Sequence, residues 1–169
     1  MKTKKAKAKR PKAKVKRKAK PKLSDKPSEM LLEALHDLLV MEKRPNVTID
    51  MGSWYVPRDV GCEICLAGAA MAQRFDLRAK FEPDIWGDGD SYYELSPSDC
   101  GDSAGKKLHA IDDLREGRLY EALIELGIRI DLIPDGLPST VPVSDYHTDR
   151  ERFIGDMHYV AAVLEKHGL

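Results

Sequence analysis

Two cysteines separated by two residues, Cys62 and Cys65, are the side chains best suited to chemistry in this sequence. Near the start of a predicted helix such a pair lies on one face, where the thiolate form is favoured. A dithiol redox pair, however, is expected directly after a buried strand, with Trp beside its first Cys. Here Trp54 precedes the pair by eight residues and Pro57 intervenes. The surroundings therefore favour small buried cysteines over a redox pair.

A zinc site is a second interpretation of the same cysteines. Structural zinc needs four ligands, and Cys100 and His109 could join Cys62 and Cys65. The first two lie close together, whereas eight residues separate Cys100 from His109. This spacing matches no zinc-binding module, so we expect no metal and keep the four residues only as alternative ligands. A single nucleophilic cysteine served by a distant histidine is a third interpretation.

An irregular acidic segment follows Phe75 and carries aromatic side chains among turn-forming residues. A calcium loop counted from Asp88 would need Gly at its sixth position and Glu at its twelfth, where Tyr93 and Asp99 stand. The segment therefore fits a glycine-rich turn better than a calcium site. Its aromatic rings are instead typical of a protein-interaction surface. The residues predicted for that surface are Trp86, Asp88, Asp90, Tyr92 and Tyr93.

The first 22 residues are dominated by lysine, alanine and proline. They hold 13 Lys or Arg and no acidic residue, and Val15 is the one sizeable apolar side chain after Met1. A segment with so little apolar surface is predicted to be disordered by itself. Its charge suits binding to phosphates through counterion release, without base reading. The predicted nucleic-acid-binding residues are Lys4, Lys5, Lys7, Lys9, Arg10, Lys12, Lys14, Lys16, Arg17, Lys18, Lys20 and Lys22.

In composition this tail resembles the tails of linker histones and of extended bacterial histone-like proteins, which implies non-specific nucleic-acid binding. Three other interpretations stay open. In a eukaryotic cell Lys16–Lys18 could serve as a nuclear-import signal. Anionic lipid could attract the charge, although no aromatic or acyl anchor accompanies it. The tail could also be a solubilising segment that folds back on its own acidic body.

The formal net charge of zero conceals a division between two parts of the chain. Of 28 basic and 28 acidic residues, 15 basic and all 28 acidic ones fall within residues 23–169. This division predicts a basic tail over 1–22 and an acidic globular domain over 23–169. Three cysteines are too few for a secreted disulfide framework, and no apolar run reaches the roughly 20 residues of a membrane span. We therefore expect an intracellular protein with reduced thiols and no membrane partner.

Hydrophobic periodicity predicts that the globular domain is mainly α-helical. It indicates a first helix over Ser24–Lys43, a helical hairpin joined at Gly117 and a last helix opened by a Thr148–Glu151 capping box. The stretch Gly61–Ala72, which follows the capping residue Asp59, consists almost entirely of small or apolar residues. It is therefore predicted to be a buried central helix.

Two short segments, Val47–Met51 and Ile128–Asp131, have the composition of strands. The expected fold is thus a compact bundle of about five helices around the central helix, with room for a short two-stranded element. The helix after Cys100 is expected to be capped by Asp102 or Ser103. A long proline-rich loop over residues 134–146 is a further candidate partner surface.

Parts of the domain resemble small uncharacterised proteins of bacteriophages and prophages. The resemblance rests on Trp54 with the Cys62–Ala72 run, on Lys107–Gly117 and on the closing Met157–Leu169 helix. It covers most of residues 30–169 and excludes the basic tail. It implies a shared fold and a phage setting, and it assigns no activity and no catalytic residue.

Together, the tail and the domain predict a non-enzymatic accessory protein. The tail would anchor it to DNA or RNA without sequence preference, and the acidic body would bind an unidentified protein. The alternatives are a virion component that contacts the packaged genome, and a host-directed inhibitor whose acidic body imitates nucleic acid. No nucleophile–base pair or phosphate-binding glycine loop marks an active site, so neither enzyme activity nor a cofactor is expected. The expected location is the host cytoplasm, in association with nucleic acid, or the virion.

Overall fold

A computed structural model of the protein describes residues 22–58, 60–75, 77 and 94–169. In this part of the chain the α-helices are α1 (Pro27–Glu42), α2 (Leu66–Arg74), α3 (Asp102–Arg115), α4 (Leu119–Glu125) and α5 (Arg150–Lys166). The strands are β1 (Val47–Ile49), β2 (Tyr55–Arg58) and β3 (Gly61–Ile64). Short 3-10 helices cover Pro97–Cys100 and Ile130–Leu132. The mainly α fold predicted from the sequence is confirmed.

Helix α1 packs along α5 and against α2. It begins at Pro27, whose fixed backbone angle suits the first turn of a helix. At its other end, both carboxylate oxygens of Glu42 accept hydrogen bonds from Arg150, each at 2.6 Å, and one also accepts from the Tyr146 hydroxyl at 2.5 Å. The Arg150 hydrogen bonds lower the pKa of Glu42. This bidentate ion pair fixes the end of α1 against the start of α5.

The predicted central helix begins later than expected, because residues 61–64 form a strand. Cys62 and Ile64 point into the core while Gly61 and Glu63 are only partly buried, which is the period-two pattern of a strand. Strand β3 is the middle strand of a three-stranded sheet, parallel to β1 and antiparallel to β2. The expected two-stranded element therefore gains a third strand, which is taken from the segment predicted as helix.

Helix α2 occupies the central position that the small residues predicted. Cys65 is its N-cap, and the Gly68 N–H donates to the Cys65 sulfur at 3.3 Å. All six residues from Leu66 to Met71 are buried, between α1 on one side and α3 on the other. A Cβ placed on Gly68 would lie 1.5 Å from the carbonyl oxygen of Trp54. The missing side chain therefore lets the backbone before β2 lie directly on the helix.

Helices α3 and α4 form the predicted hairpin at Gly117. This residue has φ +75°, and a Cβ there would lie 2.0 Å from the Val141 carbonyl oxygen, so the turn requires glycine. The predicted capping of α3 by Asp102 or Ser103 is wrong. The N-cap is Gly101 with φ +91°, because the preceding 3-10 helix brings the chain in at an angle that favours glycine.

Helix α5 starts from a different cap than the sequence predicted. Asp149 is the N-cap and accepts from the Arg152 N–H at 3.0 Å. The Thr148 hydroxyl instead donates to Asp145 at 3.2 Å, so the predicted Thr148–Glu151 capping box is wrong. Asp145 holds Thr148 away from the helix start, because it accepts hydrogen bonds from the Thr148 hydroxyl and from the backbone N–H groups of His147 and Thr148.

The loop before α5 is largely fastened to the domain rather than free. Its side chains Leu137, Val141 and Tyr146 are buried in the core. The Tyr120 hydroxyl donates to the Leu137 carbonyl at 3.3 Å, and the Leu119 N–H donates to the Ser139 carbonyl at 2.9 Å. These contacts hold the loop against α4.

The strand predicted over Ile128–Asp131 is also wrong. The Ile128 N–H returns to the Leu123 carbonyl at 2.9 Å, which closes α4, and a 3-10 helix follows over Ile130–Leu132. The segment has no neighbouring strand in the described sheet, which contains only β1, β3 and β2. Apolar composition alone does not form a strand without such a partner.

Two glycines inside helices give opposite predictions for substitution by alanine. Gly68→Ala should lower the free energy of unfolding by about 3 kcal/mol, because its Cβ collides with backbone that cannot move cheaply. Gly155→Ala in α5 is the matched control, since nothing lies within 4 Å of its Cβ position. It should raise the free energy of unfolding by about 0.5–1 kcal/mol. Urea unfolding of both variants measures the difference, and equal effects would contradict the assigned packing.

Candidate functional site

The basic tail joins the acidic domain at residues 22–26, which we call the junction. Leu23 is only 5% exposed and belongs to the hydrophobic core. The Lys22 carbonyl accepts a hydrogen bond from Arg74 at 3.1 Å, and the Leu23 carbonyl accepts one from Lys107 at 2.9 Å. Cationic side chains from α2 and α3 therefore hold the backbone at the last residue of the basic run.

Carboxylates of α1 hold the other side of the junction. The Ser24 N–H donates to Glu33 at 3.0 Å, and the Ser24 hydroxyl donates to Glu29 at 2.9 Å. Asp25 is fully exposed apart from its contact with Lys107 at 2.5 Å, and that hydrogen bond lowers the pKa of Asp25. The chain thus passes from tail to domain with no intervening linker.

Arg74 forms the most buried ion pair of this arrangement with Asp37. Its Nε donates to Asp37 at 2.5 Å and its Nη1 donates to Glu33 at 3.0 Å. The side chains of Arg74 and Asp37 are each only 9% exposed. Removing one partner of such a pair leaves the other charge buried without compensation, which costs about 3–5 kcal/mol. Arg74 therefore joins α1, α2 and the junction in one interaction.

Of the predicted nucleic-acid-binding residues, only Lys22 lies in the described part of the chain, where it is exposed. The other eleven residues lie outside the described residues. The same holds for the predicted protein-interaction residues Trp86, Asp88, Asp90, Tyr92 and Tyr93, and for the predicted cap Asp59. The structure therefore describes where the tail is attached, and the tail itself stays a prediction.

The four alternative zinc ligands occupy separate elements. Cys62 is in β3, Cys65 caps α2, Cys100 ends a 3-10 helix, and His109 lies in α3. His109 contacts Trp54 edge-on, with ring centroids 5.3 Å apart. Within residues 22–58, 60–75, 77 and 94–169, no three His, Cys, Asp or Glu side chains form a group that could hold a metal ion. The fold therefore does not assemble these four residues as a zinc site.

Burial disfavours the thiolate form that a redox pair or a nucleophilic cysteine would need. Cys62 and Cys65 are buried and form no disulfide, and Cys100 is partly buried. Burial raises the pKa of Cys62, and it raises the pKa of Cys65 to about 11. The Gly68 N–H favours the Cys65 thiolate, but this contribution is smaller than the cost of burying the charge. At neutral pH both residues are therefore thiols, the form that does not attack electrophiles.

A cavity of about 270 Å³ lies where the turn before β2 meets the end of α3. It is lined by Met51, Gly52, Ser53, Trp54, Cys65, Asp112, Arg115 and Glu116. Arg115 bonds to Asp112 at 2.7 Å and to Glu116 at 3.0 Å, so two carboxylates already balance its charge. Sequence reasoning missed this cavity, and its one local signal is the spacing of three between Asp112 and Arg115 on α3.

Comparison with known proteins assigns the chain to no family. No protein-family model matches the chain, and no curated protein and no solved structure matches it significantly. Among the helices of the described residues, none combines the length and the apolar character needed to cross a membrane.

The cysteine environments predict unequal alkylation of the folded protein. At about pH 8, roughly one Cys65 side chain in a thousand is ionised, given its pKa of about 11. Iodoacetamide should therefore modify the partly exposed Cys100 at least about ten times faster than Cys65. Timed labelling followed by peptide mass spectrometry measures both rates, and labelling in denaturant is the control. Equal rates in the folded protein would restore a reactive role for Cys65.

Proposed function

We propose that the protein is a non-enzymatic accessory protein with two separate binding parts. The basic tail anchors it to nucleic acid without sequence preference, and the acidic helical domain is a protein-interaction module. The phage setting belongs to this proposal and rests only on the resemblance noted above.

The division of charge carries this proposal. Residues 1–22 hold 13 cations and no anion, whereas residues 23–169 hold 28 anions and 15 cations. Each cation that neutralises a phosphate releases counterions, and this gain requires no fixed tail structure. The acidic domain is repelled by the same phosphates, since like charges interact unfavourably within about 10 Å at 0.1 M salt. Nucleic acid therefore favours the tail and disfavours the domain.

The junction keeps the acidic domain close to whatever the basic tail binds. Because the chain is bonded to Arg74 and Lys107 at Lys22 and Leu23, the domain begins immediately after the last tail cation. A domain attached so closely stays within a few residues of the bound phosphates. It is held near the nucleic acid, where a protein partner can reach it.

Replacing the tail cations tests the anchor in the full-length chain. One variant changes every Lys and Arg of residues 1–21 to Gln, and a matched variant changes every Lys of the same residues to Arg. The unmodified chain and the Arg variant should bind a DNA duplex with a log–log salt slope of about −0.9 per phosphate contacted. The Gln variant should lose the binding and nearly all of the slope, because Lys22 is then the one Lys or Arg left in the tail to displace counterions.

The duplex should be measured with two unrelated sequences by fluorescence anisotropy across a salt series. Equal affinity for both sequences is expected from an anchor that reads no bases. Binding by the Gln variant that equals binding by the unmodified chain would contradict the anchor and assign the interaction to the domain.

A further inference from the structure

Three large apolar side chains are exposed around the end of α4, a region that we call the 124–132 turn. The exposed fractions are 47% for Ile124, 68% for Ile130 and 66% for Leu132. Single exposed apolar residues are common, whereas exposed apolar residues grouped together mark interaction sites.

The 124–132 turn is held in place by identifiable contacts. Gly127, with φ +83°, closes α4, and its N–H donates to the Ile124 carbonyl at 2.8 Å. Arg129 and Asp131 form a bidentate ion pair across the 3-10 helix, at 3.0 and 2.9 Å. On both sides of the exposed pair Ile130 and Leu132, the partly buried Ile128 and Ile133 pack on the core. Ordered backbone therefore presents these apolar side chains to solvent.

The charges around the 124–132 turn are mostly negative. Within residues 121–135, exposed carboxylates are contributed by Glu121 and Glu125 of α4, by Asp131 and by Asp135, against one Lys or Arg, Arg129. Exposed apolar side chains flanked by these carboxylates, which we call the acidic rim, complement a surface that has apolar anchors between lysines or arginines.

From this surface we propose that the 124–132 turn docks a basic amphipathic helix of a partner protein. The proposal deepens the protein-binding half of the proposed function and rests on it. Nucleic acid does not fit, because the acidic rim repels phosphates. The tail of this chain does not fit either, since Val15 is its one sizeable apolar side chain after Met1. A second copy would bring the same excess of negative charge against itself.

A designed peptide can test the chemistry before a natural partner is known. The probe is a labelled synthetic helix of about five turns that has Leu at positions i, i+3, i+4 and i+7 and Lys elsewhere. Full-length protein should bind it at about 0.15 M salt, and the double variant Ile130→Ser with Leu132→Ser should bind it at least about tenfold more weakly. Val60→Ser is the matched control, because Val60 is 76% exposed but lies in the turn between β2 and β3.

A second peptide replaces each Lys of the probe by Glu and keeps the Leu spacing. Any affinity it has should come from the basic tail and should be the same for the unmodified protein and the double variant. Circular dichroism should give the same melting temperature for all the proteins, because the substituted side chains are exposed. A peptide affinity that the double variant does not change, or no binding by the unmodified protein, would overturn the proposal.

Two further readouts separate the alternatives. Sedimentation of a dimer that the double variant dissociates would assign the 124–132 turn to a second copy and would also overturn the proposal. The double variant should keep the DNA affinity and salt slope of the unmodified chain. Failure of the tail anchor therefore appears in the DNA measurement, whereas failure of this docking surface appears in the peptide measurement.

Discussion

Arg74 ends the central helix, and its side chain connects three parts of the chain that are distant in sequence. It bonds to Asp37 and Glu33 of α1 and to the backbone carbonyl of Lys22. Burying this cation is acceptable because two carboxylates and a carbonyl compensate it. The side chain that joins α2 to α1 therefore also bonds to the backbone at the end of the basic tail. Together with Lys107, which bonds to the Leu23 carbonyl, this side chain fixes the place where the basic residues meet the acidic domain.

Much of the fold is readable from local patterns. The apolar stripes of α1 and α5 and the hairpin at Gly117 are predicted from helical periodicity, since the buried residues repeat along one face. The strand Gly61–Ile64 was missed because its small apolar residues suit a helix equally well, and only pairing with β1 and β2 decides between the two. Pairing also decides the structure of Ile128–Asp131. This segment has strand composition but forms no strand, because it lacks a neighbouring strand among the described residues.

The functional features also differ in whether the sequence alone predicts them. The charge of the tail is a property of composition, so the sequence alone suffices to propose an anchor. The attachment of Lys22 to Arg74 is a contact between residues 52 positions apart and leaves no local signal. The exposure of Ile130 and Leu132 is also invisible in the sequence, because apolar residues are predicted to be buried. The inertness of Cys65 follows from burial, which overrides the helix-start position that suggested reactivity.

Hydrogen exchange of the full-length protein, with and without a saturating DNA duplex, tests the separation of the two parts most directly. Exchange in α1 to α5 and in the 124–132 turn should be unchanged by DNA, as expected if the tail alone contacts the phosphates. New protection within these helices or within the turn would contradict the account. The domain would then be part of the nucleic-acid interface rather than a module held beside it.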